Sequence, residues 1–409
     1  MSGQHLIDRE RLFGAQNYAA LPVVLAHGRG AHLYDVDGRR YVDMMSAYSA
    51  ASFGHLHPRL VKAMRDQLER LDIVSRAFHS DNLGAFYEEL AGYAGLDACL
   101  VMNTGAEAVE TAIKAARRYG YDELAIPQDT AEIIVAHGNF HGRTTTIVGF
   151  SDDPAARRGF GPFAPGFSHV PFGEAAAVER AITPATAAVL IEPIQGEGGV
   201  IVPPAGYLAE LRRICDRHGI LLILDEVQSG FGRTGRDFAF MHEDVRPDAI
   251  TVGKALGGGL LPVSAFIATR RLMNVFTPGS HGSTFGGNPI ATAVGREAVA
   301  LMRDEALAER SRRLGEVQLG ALRELRSPAV LALRGKGLWA GVELDPGAAK
   351  AKDVCLALLR RGVLAKETHE SVLRLAPPLV IEEADLLAAV RALGEALDEA
   401  CLERARAAD

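Results

Sequence analysis

The chain has 409 residues, of which 48% are apolar and 23% charged, with a formal net charge of -7. This balance excludes a disordered polyelectrolyte and argues against a surface built for nucleic acid. The length is enough for two or three compact units with a cleft between them.

Four cysteines, Cys99, Cys215, Cys355 and Cys401, lie far apart without C-x-x-C spacing, so a reducing compartment fits best. Residues 1–10 are polar and no run reaches the roughly 18 apolar residues of a membrane helix, which leads us to expect a cytoplasmic protein with no membrane partner. In residues 21–45, Asp37-Gly38 between two strand-like runs is a hairpin signal, and this segment is expected to pack beside the C-terminal unit. From about residue 85 to residue 270, short strand-like runs alternate with amphipathic helical stretches, the pattern of an α/β domain with a mainly parallel sheet. The clearest strands are 132–136, 187–191, 220–224 and 249–252. Tyr207, Leu208, Leu211, Ile214 and Cys215 recur at helical spacing, with Gly219 as a stop. One or two long helices are expected from Gly295 to about Leu325, and strands at 329–345 and 363–376 with a helix between, forming a smaller α/β unit. The expected division is an N-terminal segment 1–48, a large domain 49–296 and a small domain 297–409.

In open α/β sheets, ligands gather beyond the carboxyl ends of the strands. Here those ends run into Asp225-Glu226-Val227-Gln228, Glu192-Pro193-Ile194-Gln195-Gly196-Glu197 and Gly253-Lys254, so charges of both signs converge on one rim. A lone lysine is ordinarily a solvated surface group. One desolvated at a strand end has a lowered pKa and offers a neutral amine to an aldehyde. If that aldehyde belonged to a pyridine cofactor, Asp225 would keep the ring nitrogen protonated, although an isolated aspartate is more commonly a cap. Thr104-x-x-Glu107 has capping-box spacing at the head of a helix, where the amides of small residues can bind a phosphate or form an ordinary cap. No G-x-G-x-x-G follows a strand into a helix and no P-loop motif is present. His55 and His57, and likewise His137 and His141, lack the companions that would complete a metal shell, so no metal is expected. Arg143 and Arg374 lie in small or apolar contexts, where a guanidinium needs an acid partner or a carboxylate ligand.

Together these residues resemble the class III aminotransferases of pyridoxal-phosphate fold type I, and among them the ornithine aminotransferases. The resemblance covers nearly the whole chain through FGAQNY (13–18), SAYSA (46–50), FGHLHP (53–58), MNTGAEAVETAIKAAR (102–117), GNFHGRT (138–144), GFGPFAPGF (159–167), EPIQGEGG (192–199), DEVQSGFGRTG (225–235), GKALGGG (253–259), HGSTFGGNP (281–289) and RLAPPL (374–379). It implies a large sheet domain that binds pyridoxal 5'-phosphate and a smaller C-terminal domain. Lys254 would hold the cofactor covalently and shuttle the proton, Asp225 would bond the ring nitrogen, Gln228 would contact the ring hydroxyl and Phe140 would stack on the ring. Gly105 and Ala106 would give phosphate amides, while Ser283 and Thr284 would reach the phosphate of the neighbouring subunit in a homodimer with shared sites.

For the substrates, L-ornithine and 2-oxoglutarate, the resemblance implies Arg143 for the distal carboxylate and Arg374 for the proximal one, with Glu197 masking Arg374 while ornithine is bound. Tyr18 and Tyr48 would hold the α-amino and carboxylate end of ornithine. Departures from the animal-type pattern are His141 in place of a tryptophan, Phe285 in place of a tyrosine and Gly198 in place of an alanine, and no targeting extension is expected ahead of Tyr18. Two other readings stand beside this one: a class III enzyme acting on acetylornithine, 4-aminobutyrate, lysine or a diamine, and a non-catalytic homologue serving as a scaffold.

Overall fold

A computed structural model describes residues 3–368 and 370–406. Near the N-terminus come β1 (Leu25–Arg29), β2 (His32–Asp35) and β3 (Arg40–Asp43). The next seven strands are β4 (Ala98–Met102), β5 (Glu132–Ala136), β6 (Phe167–Val170), β7 (Thr186–Ile191), β8 (Leu221–Asp225), β9 (Ala249–Val252) and β10 (Ser264–Ala268). Toward the C-terminus lie β11 (Val330–Gly335), β12 (Ala340–Leu344), β13 (Val363–Leu364), β14 (Lys366–Thr368) and β15 (Val372–Leu375).

The middle seven strands form one sheet in the order β4-β10-β9-β8-β7-β5-β6. All its pairings are parallel except those of β10, which runs antiparallel to both β4 and β9. Strands β7 to β10 are buried at every residue, and the parallel strands β7, β8 and β9 read as nearly continuous apolar runs because both faces of the sheet are covered. Alternate residues divide between the faces. Ile133, Val135, Leu221 and Ile223 meet Val109, Ile113 and Ala116 of the helix Gly105–Glu123, whereas Ile134, Leu222 and Leu224 belong to the core that includes Leu208, Leu211 and Cys215 of the helix Tyr207–His218. That second helix ends at Gly219 in the left-handed conformation, as its sequence predicts.

The expected long helical region is two helices, Pro289–Asp304 and Leu307–Glu324, joined at Ala306. Beyond them, the expected strand at 329–345 is a hairpin of β11 and β12, because Gly337 takes a positive φ of 59° between them. The strand expected at 363–376 is likewise divided, into β13, β14 and β15, and the sheet order is β11-β12-β15-β14. The hairpin at Asp37-Gly38 joins β2 to β3, with Asp35 Oδ1 accepting from the amides of Asp37 (3.0 Å) and Arg39 (2.9 Å). Strand β3 then pairs in parallel with β13, which ties the N-terminal segment to the C-terminal one.

Helix Leu307–Glu324 lies directly on the β11–β12 turn: a Cβ on Gly315 would sit 2.1 Å from the Gly337 carbonyl oxygen, while one on Gly320 meets nothing within 4 Å. Gly315→Ala is therefore expected to destabilise the fold by about 1–3 kcal/mol, and Gly320→Ala to stabilise it by about 0.5–1 kcal/mol. Urea-unfolding midpoints of the two variants should move in opposite directions.

Candidate active site

The carboxyl ends of the parallel strands deliver the site. Asp225 is the last residue of β8, Glu192 follows β7, and Gly253-Lys254 follows β9. Between β4 and the helix Gly105–Glu123 the chain makes a capping box: Thr104 Oγ1 accepts from the Glu107 amide (3.3 Å) and Glu107 Oε2 from the Thr104 amide (2.7 Å). The amides of Gly105 and Ala106, in the first turn, have no acceptor within the helix and are free for a ligand. Gly105 is needed for packing, since a Cβ there would lie 2.9 Å from Val227 Cγ1. Lys254 has a φ of 44°, in a left-handed region that costs a non-glycine residue about 1–3 kcal/mol and is found at functional sites.

A cavity of about 190 Å³ brings together Lys254, Asp225, Gln228, Phe140, Gly105 and Ala106, along with His141 and Glu192. Burial pushes the Lys254 ammonium below the usual lysine range, against the opposing pull of Glu197 and Asp225. Asp225 accepts three hydrogen bonds: Oδ1 from Thr251 Oγ1 (2.9 Å) and from the Val227 amide (3.1 Å), and Oδ2 from His141 Nδ1 (2.6 Å), which leaves Oδ2 with room for one more donor. Burial disfavours charge on the His141 imidazole, but the bond to Asp225 and its charge outweigh that and hold the proton above the ordinary histidine range. The remaining His141 ring nitrogen, Nε2, is buried without a partner among the described residues.

Two further cavities adjoin. One, of about 450 Å³, is lined by Phe140, Arg143, Glu197 and Thr368 among others; the other is a narrow pocket lined by Tyr48, Gln228, Trp339, Lys366 and Arg374. Arg374, 6% exposed, donates from Nη1 to Glu197 Oε1, and its guanidinium lies 4.9 Å from the centroid of the Tyr48 ring. Arg143 is exposed and stacks 5.6 Å from the Phe140 ring centroid, with no acidic partner among the described residues. One cation is thus masked and the other free. Ser283 and Thr284 face a separate cavity with Ser75 and Arg76, although Asn103 Nδ2 donates to Ser283 Oγ (2.9 Å). Tyr18 is 83% exposed and lines none of these cavities.

Sequence reasoning passed over two groups in the cavity wall. In the sequence His141 stands out only as a discounted metal ligand and as a replacement for a tryptophan, and nothing local marks it as the partner of Asp225, which is 84 residues away. Glu192 was visible only as one charge at a strand end. Its carboxylate accepts from the Phe140 amide at Oε2 (3.0 Å) and from the Gly196 amide at Oε1 (3.2 Å), so it joins the segments carrying Phe140 and Glu197. Among the described residues no group of three or more His, Cys, Asp or Glu side chains could hold a metal ion.

Burial, reinforced by the charge of Asp225, pushes the Glu192 carboxyl from its ordinary value of 4.5 up to about 7. A carboxyl raised on folding contributes stability that is fully present below its unfolded pKa and is lost as pH rises through the folded one, here by up to about 3 kcal/mol. Glu192→Gln is neutral at every pH. The stability of the cofactor-free wild type should therefore fall relative to that variant between pH 5 and 8, and parallel thermal-melting curves would refute the assignment.

Residues 13–397 match the family model for class-III aminotransferases. An ornithine aminotransferase of Bordetella pertussis is 52% identical over 368 residues, covering 90% of this chain and 89% of that protein. One from Brevibacillus brevis is 49% identical over 381 residues, covering 93% and 95%. Among solved structures, the ornithine aminotransferase of Toxoplasma gondii, described with partial occupancy of pyridoxal phosphate at its active site, superposes with a TM-score of 0.97 at 40% identity over 98% of this chain and 96% of that one. An acetylornithine aminotransferase from Elizabethkingia anophelis gives 0.89 at 44% identity over 97% and 99%. The chain belongs to the class-III aminotransferase family.

Proposed function

We propose that the chain transfers the terminal amino group of L-ornithine to 2-oxoglutarate, giving glutamate 5-semialdehyde and glutamate, with pyridoxal 5'-phosphate as cofactor. The observation that carries this reading is the Glu197–Arg374 ion pair beneath Tyr48, with Arg143 left free. A donor that reacts at its far end must keep its carboxylate away from the reacting carbon, whereas glutamate reacts beside its own. One masked and one open guanidinium meet both demands, and the names of the relatives agree.

The residues present fit the cofactor. Free amides at Gly105 and Ala106 suit a phosphate, the Phe140 side chain reaches the cavity to cover a ring face, Gln228 suits the ring hydroxyl, and Asp225 suits a protonated ring nitrogen. Bound there, pyridoxal phosphate supplies an aldehyde for the amino group and a pyridinium that accepts the electron pair released when the substrate C–H bond breaks. Lys254 Nζ, with its lowered pKa, takes the proton from the substrate carbon as a base and returns it as an acid. The Asp225 carboxylate, held in place by Thr251 and His141, would accept a hydrogen bond from the ring nitrogen. Ser283 and Thr284 would serve the neighbouring subunit's phosphate in a homodimer with shared sites, and Tyr18 would close the substrate end. On this reading residues 49–296 form the large cofactor-binding domain and residues 297–409 the small one, joined by the N-terminal segment.

Product analysis tests the proposal. With ornithine and 2-oxoglutarate, the trapped cyclic form of glutamate 5-semialdehyde should accumulate together with glutamate; faster turnover of acetylornithine or 4-aminobutyrate would overturn the ornithine assignment. Glu197→Gln should leave Arg374 unmasked, lowering KM for 2-oxoglutarate while slowing the ornithine half-reaction by about tenfold or more. Equal effects on the two half-reactions, resolved by single-turnover kinetics, would contradict the masking role.

A further inference from the structure

The narrow pocket beside the cavity has three walls from distant parts of the chain: Tyr48, Trp339 and Arg374. Tyr48 sits in an improbable backbone. Ser46, Ala47, Tyr48 and Ser49 take φ values of 43°, 47°, 58° and 73°, a full left-handed turn without a glycine. L-residues adopt this conformation in succession only where the surroundings leave no alternative. Asp43 Oδ1 accepts from the amides of Met45 and Ser46 (2.8 Å each) at the start of the turn, and Ser46 Oγ donates to the Ala376 carbonyl (2.7 Å).

Behind the turn lies Arg233, fully buried, with no carboxylate in ion-pair reach among the described residues. Its Nη1 donates to the carbonyls of Leu338 (2.9 Å) and Pro377 (2.7 Å), and its Nη2 to the hydroxyls of Ser46 (3.2 Å) and Ser52 (2.9 Å). Each acceptor is close in sequence to one wall. Ser46 is two residues before Tyr48, Leu338 immediately precedes Trp339, and Pro377 is three residues after Arg374.

We infer that Arg233 is a positioning residue for substrate recognition: one planar guanidinium sets the spacing of Tyr48, Trp339 and Arg374 and holds the left-handed turn that lays Tyr48 over Arg374. The inference rests on the reading that this pocket receives the substrate's carboxylate end. Bringing a buried guanidinium here is costly unless its donors are used, and Nη1 and Nη2 make four bonds to three separate segments, at Ser46 and Ser52, at Leu338 and at Pro377, with only Nε buried and unpaired among the described residues. Lysine keeps the charge but not the fork, so it can reach only some of the acceptors.

The test compares holoenzyme of the wild type, Arg233→Lys and the double variant Ser46→Ala with Ser52→Ala. The expected result is a rise of about ten- to hundredfold in KM for both ornithine and 2-oxoglutarate, with kcat and the cofactor absorbance band near wild type. The double variant, which removes the two hydroxyl acceptors and leaves the charge in place, should shift KM in the same direction and decides the matter if Arg233→Lys does not fold. Unchanged KM values, or a fall in kcat and cofactor retention with KM unmoved, overturn the inference. Should the wild type leave ornithine untouched, the reading in the preceding section falls. Calorimetric binding of glutarate, a dicarboxylate that cannot be transaminated, then decides this one: weaker binding to the variants supports it and equal binding overturns it.

Discussion

The proposed chemistry depends on an amine whose charged form is disfavoured although it sits next to groups that favour that charge. Lys254 reaches that state through burial at the end of β9, while Glu197, Asp225 and Glu192 all pull its ammonium the other way. Desolvation prevails because the seven-stranded sheet, covered on both faces, brings the lysine out of an apolar core. The same sheet aligns the ends of β7, β8 and β9 so that opposing charges arrive together.

The second constraint is how negative charge is parked. Asp225 spends its oxygens on Thr251, Val227 and His141, and Glu192 spends its own on the amides of Phe140 and Gly196. Glu197 is bound to Arg374. Every acidic group in the cavity thus has a partner that a substrate or cofactor can supplement, and only Glu197 has one whose release exposes a binding group. On the proposed function, the difference between Arg143, open to solvent, and Arg374, covered by Glu197 and Tyr48, would separate two carboxylate positions.

Much of this was legible in the sequence wherever periodicity and strand ends carry the signal. The runs at 132–136, 187–191, 220–224 and 249–252 lie within a residue of β5, β7, β8 and β9, and the stop at Gly219 is where the helix ends. Strand β6 went unread because it lies at the sheet edge with mixed polarity, and β10 because its antiparallel return is set by pairing with β4 and β9 rather than by local composition. The left-handed turn at Ser46–Ser49 could not be foreseen, since no glycine marks it and, beyond the local cap from Asp43, its supports are Arg233 and Ala376, 187 and 330 residues from Ser46. His141 and Glu192 stayed hidden for a related reason: their roles are made by contacts across the fold. Strand ends mark Lys254 and Asp225, and the family motifs add Gln228 and Phe140; all four line one cavity.

The central claim is that the amine of Lys254 is the point of covalent attachment for pyridoxal phosphate. Borohydride reduction of the purified holoenzyme, followed by proteolysis and mass spectrometry, tests it most directly. A pyridoxyl group on Lys254 is the predicted result. A pyridoxyl group on another lysine, or none on protein that retains its cofactor band, would contradict the account.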